Sequence, residues 1–319
     1  MKKIPNRQVH LDFHTSEMID QVGSKFSAEE FADTLKNANV EAVTLFTRCH
    51  HGNLYYDSTK YPERIHPHLK VKDMYREQAK ECRKKGIKVY LYTTICWDIR
   101  VAAEHPEWVA IDDYARISRR ETGNIFEDPG FHVDLCINSP YREFCKEQIA
   151  DALENCPVDG VLVDASFVVE CCCPRCRKSM LEKHLNPADP QDRKKHAWQI
   201  YYDFVREMTD YLHEIDSDYD IFFNKGHVGA QDIPVRDCFD YVAVESQPAN
   251  CGYMDFPVSA RYLRTWGVPV VGMTGRFLTG WGDNNSYRNQ AALEYESFSA
   301  LSYGGLCNIG DQLDRKSVV

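Results

Sequence analysis

The chain has 319 residues, 43% hydrophobic and 27% charged, with a formal net charge of −10. That is a globular composition, long enough for a sizeable core, and its acidity argues against a nucleic-acid backbone as partner. No stretch approaches the roughly 18 apolar residues of a membrane span. "MKKIPNRQ" has no apolar run behind its basic pair, so neither a membrane nor an export signal is expected, and the cytoplasm is the expected location.

In chain order, β-rich apolar runs occur at 9–13, 41–46, 87–93, 158–164, 220–224, 241–245, 268–274 and 304–310. Helical patterns lie between them, such as "SAEEFADTLKNAN", which opens on a Ser cap with Glu three residues on, and "VKDMYREQAKECRKKG", which closes on basic residues and Gly. Eight strands alternating with helices over roughly 300 residues predict a (β/α)8 barrel of the TIM type. An open doubly wound sheet is disfavoured, because no Gly-rich phosphate loop follows the first strand. With no internal repeat and no linker, residues 1–319 read as one barrel domain.

The first strand, "QVHLDFHTSE", sets Val9, Leu11 and Phe13 on one face and His10, Asp12 and His14 on the other. In a barrel the catalytic groups sit at the C-terminal ends of the strands, which puts those three polar side chains in the mouth. The other strand ends supply His50, His51, Tyr55 and Tyr56 after strand two, and Trp97 and Asp98 after strand three. Asp164 ends strand four, Asn224 and His227 follow strand five, Glu245 ends strand six, and Arg276 and Trp281 follow strand seven. Any one of these carboxylates could be a helix cap. Their convergence with imidazoles and aromatic rings suits a carbohydrate, whose rings stack on aromatics and whose hydroxyls take hydrogen bonds.

Thirteen cysteines without export signals are expected to be reduced thiols, with clustered ones suspected of holding metal. "VVECCCPRCRKSM" places Cys171, Cys173 and Cys176 at C-x-C-x-x-C spacing. Two readings stay open: a structural zinc lacking an identified fourth ligand, or packed thiols. Catalysis itself calls for no cofactor.

The stretches "HLDFHTSE", "HHGNLYYDS", "DGVLVD", "ESQP", "GYMDFPVSARY", "GMTGRF" and "IGDQL" resemble the α-L-fucosidase-like glycoside hydrolases of family 151, and more distantly the family 29 α-L-fucosidases. The resemblance implies sugar-binding roles for His10, His50 and His51. It also implies a nucleophile at Asp164 and retention of configuration through a covalent intermediate. For the acid/base it points to Glu245, with Glu170 as competitor. The chain departs from the pattern in "SQPANCGYMDFP" and at Leu278, where a His is usual, and those departures bear on which sugar is bound. Two alternatives stay open: a catalytically silent carbohydrate-binding barrel, and a hydrolase of another sugar such as galactose. In relatives "IGDQL" is followed by the last barrel helix and further domains. Here the barrel is expected to lack its last helix, leaving a face that a homo-oligomer would cover.

Overall fold

Eight parallel strands form the frame: β1 (Arg7–Asp12), β2 (Ala42–Phe46), β3 (Lys88–Thr94), β4 (Gly160–Asp164), β5 (Asp220–Phe223), β6 (Val242–Glu245), β7 (Val270–Gly275) and β8 (Leu306–Gln312). The structure is a computed structural model that describes residues 3–119, 132–154, 156, 158–283 and 286–314. The strands are ordered β5-β4-β3-β2-β1-β8-β7-β6, every neighbouring pair parallel, so the sheet curls into a (β/α)8 barrel. The seam between β5 and β6 is stitched by one residue. Asp240 donates its backbone N–H to the Ile221 carbonyl at 3.1 Å and accepts the Ile221 N–H on its carboxylate at 2.9 Å.

The helices follow from their caps and stripes. Helix α1 (Ala28–Asn37) starts where Ser27 accepts the Glu30 N–H, and it buries Phe31, Ala32 and Leu35. Helix α2 (Met74–Lys84) ends in Arg83 and Lys84, cations that suit the negative end of the helix dipole. The short α3 (Ile99–Glu104) is capped by Asp98, and α4 (Tyr141–Leu153) covers the next crossover. Helix α5 (Pro174–Glu182) has Pro at its first position and Cys173 as its cap. Helix α6 (Pro190–Ile215) buries Ala197, Ile200, Tyr201, Phe204, Val205, Met208 and Leu212, the three-and-four spacing of a core-facing stripe. The circuit is completed by α7 (Pro248–Cys251), α8 (Asp255–Leu263) and α9 (Gln290–Ser302). Among the described residues no helix is long and apolar enough to cross a membrane. The expectation about a covering helix after β8 falls on residues beyond 314, outside the described residues.

All eight expected strands are present, and period two decides what enters the barrel. On β1, Gln8, His10 and Asp12 are buried while Val9 and Leu11 face outward and are half-covered. Strand β2 is buried at all five positions, with one face against helices and the other in the barrel. Deep inside, the Asp220 carboxylate accepts from the Tyr90 hydroxyl at 3.1 Å and the Lys88 ammonium at 3.2 Å, so the bottom is plugged and chemistry is left to the top.

Candidate active site

Asp164 is the last residue of β4, and a hydrogen-bond shell fixes its carboxylate. The Tyr92 hydroxyl donates to Oδ2 at 2.6 Å and the Asn224 amide donates to Oδ1 at 2.8 Å. That same amide nitrogen lies 3.3 Å from Glu245 Oε2 at the end of β6. The nearest oxygens of the two acids therefore cannot be farther apart than those two lengths laid end to end. One amide thus bridges both carboxylates.

The two acids differ in environment. Burial raises the Asp164 carboxyl, opposed by the hydrogen bonds from Tyr92 and the Ala165 N–H, by nearby His10 and by Asn224. Glu245 has fewer donors and an anion beside it. Burial first, then the charge of Asp164, pushes it from an ordinary 4.5 up to about 7. Both carboxyls are raised by burial, but Asp164 has more donors opposing that rise, while Glu245 has the added charge of a neighbouring acid.

Imidazoles and aromatic rings surround the pair. His14 and His50 stack with centroids 4.0 Å apart, and the His50 N–H donates to His14 Nδ1 at 3.3 Å. The Thr94 hydroxyl donates to the Trp97 carbonyl at 3.3 Å, which leaves it to accept from His50 Nδ1 at 2.8 Å. This makes Nε2 the acceptor nitrogen of His50, 3.9 Å from Asp164 Oδ2. Burial first, then the neighbouring His14, holds the pKa of this ring well below the ordinary 6.5. His10 Nε2 lies 3.1 Å from Asp12 Oδ1, both residues buried, while Nδ1 of His10 is a buried atom with no hydrogen-bond partner among the described residues. Three rings stand edge-on around His10 at 5.5–5.6 Å: Phe46, Tyr92 and Trp281. Trp281 reaches that position because residue 310 is Gly, where a Cβ would sit 2.1 Å from the indole. Trp97 meets His50 edge-on at 5.0 Å, its indole N–H held by Asp134 Oδ1 at 3.0 Å.

The structure thus brings His10, Asp12, His14, His50, Trp97, Asp164, Asn224, Glu245 and Trp281 into one mouth. It places others elsewhere. His51 is half-buried with Nδ1 3.8 Å from Cys49 Sγ, and His227 is exposed on the loop after β5. Arg276 pairs with Asp311 at 2.7 Å and lies over the Tyr287 ring. Tyr55 and Tyr56 are buried: the Tyr55 hydroxyl accepts the Thr15 N–H, and the Tyr56 hydroxyl donates to Asp151 of α4. Asp98 is wholly buried, capping α3 and pairing with Arg48. Glu170 is exposed and Leu278 is largely exposed. Tyr92, the shortest hydrogen bond to Asp164, escaped the sequence reading because a tyrosine inside a strand looks like core. Its signal was parity, since it stands two residues before Thr94 on the inward face of β3.

A second cluster lies behind the mouth. The sulfurs of Cys136, Cys171, Cys173 and Cys176, all buried, lie within 4.8 Å of one another. Cys136 supplies the fourth thiol that the local spacing lacked, and these four are the groups among the described residues able to hold a metal ion.

Comparisons with known proteins bear on the family and the fold. No curated protein matches the chain. Among solved structures, α-L-fucosidase isoenzyme 2 from Paenibacillus thiaminolyticus is 33% identical with a TM-score of 0.91, over 99% of this chain and 47% of that one. A β-galactosidase from Marinomonas ef1 shares the fold at 13% identity and a TM-score of 0.67, over 96% of this chain and 54% of that one. A family 29 α-L-fucosidase from Bacteroides thetaiotaomicron shares it at 15% identity and 0.56, over 94% and 57%. The chain spans about half the length of the solved structures it matches. Residues 27–165 match the model of the family described as hypothetical glycosyl hydrolase 6, and the resemblance to α-L-fucosidase-like glycoside hydrolases holds in sequence and in fold.

Proposed function

We propose that the chain is the catalytic barrel of a retaining glycoside hydrolase that removes a terminal α-L-fucosyl residue. The observation that carries the reading is the shared Asn224 amide, which ties Asp164 and Glu245 into one unit, with Glu245 raised to about 7 by burial and by the charge of Asp164. In this mechanism the Asp164 carboxylate attacks the anomeric carbon, and Glu245 gives its proton to the departing oxygen. Glu245, now ionised, then takes a proton from water, which attacks the glycosyl-Asp164 ester from the face the leaving group vacated. Tyr92 and Asn224 hold the nucleophile in line. His10 Nδ1 and His50 Nε2 are placed to bond sugar hydroxyls, with Trp97 and Trp281 as walls.

The choice of fucose rests on the 33%-identical relative, whose name is that of an α-L-fucosidase. Hydrolysis of an aryl α-L-fucoside, followed by NMR of the first sugar released, tests both halves. Release of α-L-fucose before mutarotation is the expected result. A β-product would overturn retention. Turnover of an aryl β-galactoside but not the fucoside would overturn the sugar assignment, and binding of fucose without turnover of either would leave a silent barrel.

A further inference from the structure

The geometry points to a structural zinc ion held by Cys136, Cys171, Cys173 and Cys176, whose work is to fix the Trp97 wall of the mouth. The Cys136 sulfur lies 3.5 Å from that of Cys176 and 3.9 Å from that of Cys173. Four thiolates about 2.3 Å from a zinc ion form a tetrahedron with edges of about 3.8 Å. All thirteen cysteines are free, so no disulfide competes for these sulfurs. An all-thiolate set selects a soft ion such as zinc over magnesium or calcium, and four protein ligands leave no open position for chemistry.

The surroundings suit four thiolates. Cys173 caps α5 and Cys176 lies in its first turn, where the positive end of the helix dipole favours anions. The Cys173 N–H donates to Cys171 Sγ at 3.4 Å, and the Asn138 amide donates to Cys176 Sγ at 3.5 Å. Ala110, Ile111 and Val169 close an apolar collar around the group. Such outer donors and collars orient the ligands and exclude water.

The cluster is wired to the mouth from two sides. Cys136 stands two residues beyond Asp134, whose carboxylate holds the Trp97 indole N–H at 3.0 Å and the Ser118 hydroxyl at 2.7 Å. The Leu135 N–H bonds to the Cys96 carbonyl at 2.8 Å, beside Trp97. From the other side, the loop that begins after Asp164 packs Phe167 against Trp97 at 4.8 Å and ends on the three clustered cysteines. One ion therefore clamps the loops after β3 and β4 on either side of a ring that lines the mouth. The metal site stands independently of the sugar reading; only its effect on substrate rests on it.

Elemental analysis of protein purified without chelator is expected to give one zinc per chain, and Cys136→Ser none, while Cys172→Ser, outside the cluster, keeps it. Co²⁺ in place of zinc should show the intense visible bands of a tetrahedral tetrathiolate, which decides the matter on the native chain if Cys136→Ser does not fold. Reduced protein that holds no zinc and takes up neither Zn²⁺ nor Co²⁺ would overturn the site. For the second half, metal removal should shift tryptophan emission in the native chain and leave Trp97→Phe unshifted, and KM should rise about tenfold with kcat little changed. An unchanged emission after metal loss would overturn the hold on Trp97. These readouts separate failure here from failure of the glycosidase reading, because metal content and fluorescence need no substrate.

Discussion

Asp98 and Asp164 begin as the same kind of residue, an aspartate where a barrel strand runs out, the first wholly buried and the second partly open to the mouth. The structure gives them opposite tasks. Asp98 has both oxygens saturated: Oδ2 takes the Arg48 guanidinium at 2.9 Å and Oδ1 the Val101 N–H at 2.9 Å, with Arg64 3.9 Å away. Arg48 is itself fixed to the Thr94 carbonyl, and Gly52, at φ +83°, packs so close that a Cβ there would sit 2.4 Å from Asp98 Oδ1. Among the described residues Asp164 has donors but no guanidinium or ammonium partner, and its neighbour across Asn224 is another acid. An acid locked to a cation holds the fold together. An acid held by a hydroxyl and an amide, facing a second acid, has no guanidinium or ammonium to tie up its charge, which is what the proposed reaction needs.

The comparison breaks most sharply by deleting each charge in turn. Asp164→Asn should cut turnover by about 10⁴-fold, measured with an aryl fucoside, while the melting temperature holds or rises. Asp98→Ala should do the reverse, costing roughly 3–5 kcal/mol by denaturant titration because it strands the Arg48 charge in the core. If Asp98→Ala were stable but inactive, the division between the two aspartates would be wrong.

Glu245→Gln comes next, with a loss of about 10²–10³-fold on an activated aryl substrate. Azide needs no general base, so it should restore turnover and give the α-fucosyl azide, the product of two inversions. With Asp164→Asn, azide should give the β-azide by one inversion. Rescue at Glu170→Gln instead would transfer the acid/base role to that exposed residue. The same acid sets the pH profile: Glu245 must be protonated to act, so kcat/KM should fall as pH rises through about 7.

A smaller effect sharpens the contrast from the side of stability. Glu245 titrates near 7 folded against an ordinary 4.5, so the folded state holds its proton more tightly. The stability linked to that proton is full below pH 4.5 and lost as pH rises through 7. Glu245→Gln should therefore gain on the native chain by about 2–3 kcal/mol at pH 8, and by little at pH 4. A native chain whose stability is flat between pH 5 and 8 would show that Glu245 does not hold its proton more tightly when folded.

The barrel was legible because each strand is an apolar run closed by polar punctuation, and all eight are where the pattern puts them. Helix α9 carried no such signal: Tyr295, Phe298 and Leu301 are exposed while Ala300 is the residue it buries, so its sequence shows no clean stripe. The Asp240 stitch across the seam is a side chain standing in for a ladder, which no periodicity reports. Within the site, strand parity located His10, Asp12, Asp164 and Glu245, since direction is fixed inside a strand. Parity lapses in the loops, which is why His227 and Arg276 could be named but not aimed. Cys136 was out of reach for a different reason. It lies far along the chain from the C-x-C-x-x-C stretch, and only the pairing of its segment against Trp97 and Trp108 brings it in.

In the proposed mechanism Asp164 forms the covalent bond to the sugar. Incubating Glu245→Gln with a 2-deoxy-2-fluoro-fucosyl fluoride should slow both steps and leave the intermediate on the protein. Mass spectrometry of the digested product is expected to find one fluorofucosyl group, on the peptide that contains Asp164. A label on Glu170 or another acid, or rapid hydrolysis of the fluoride with no label at all, would contradict it.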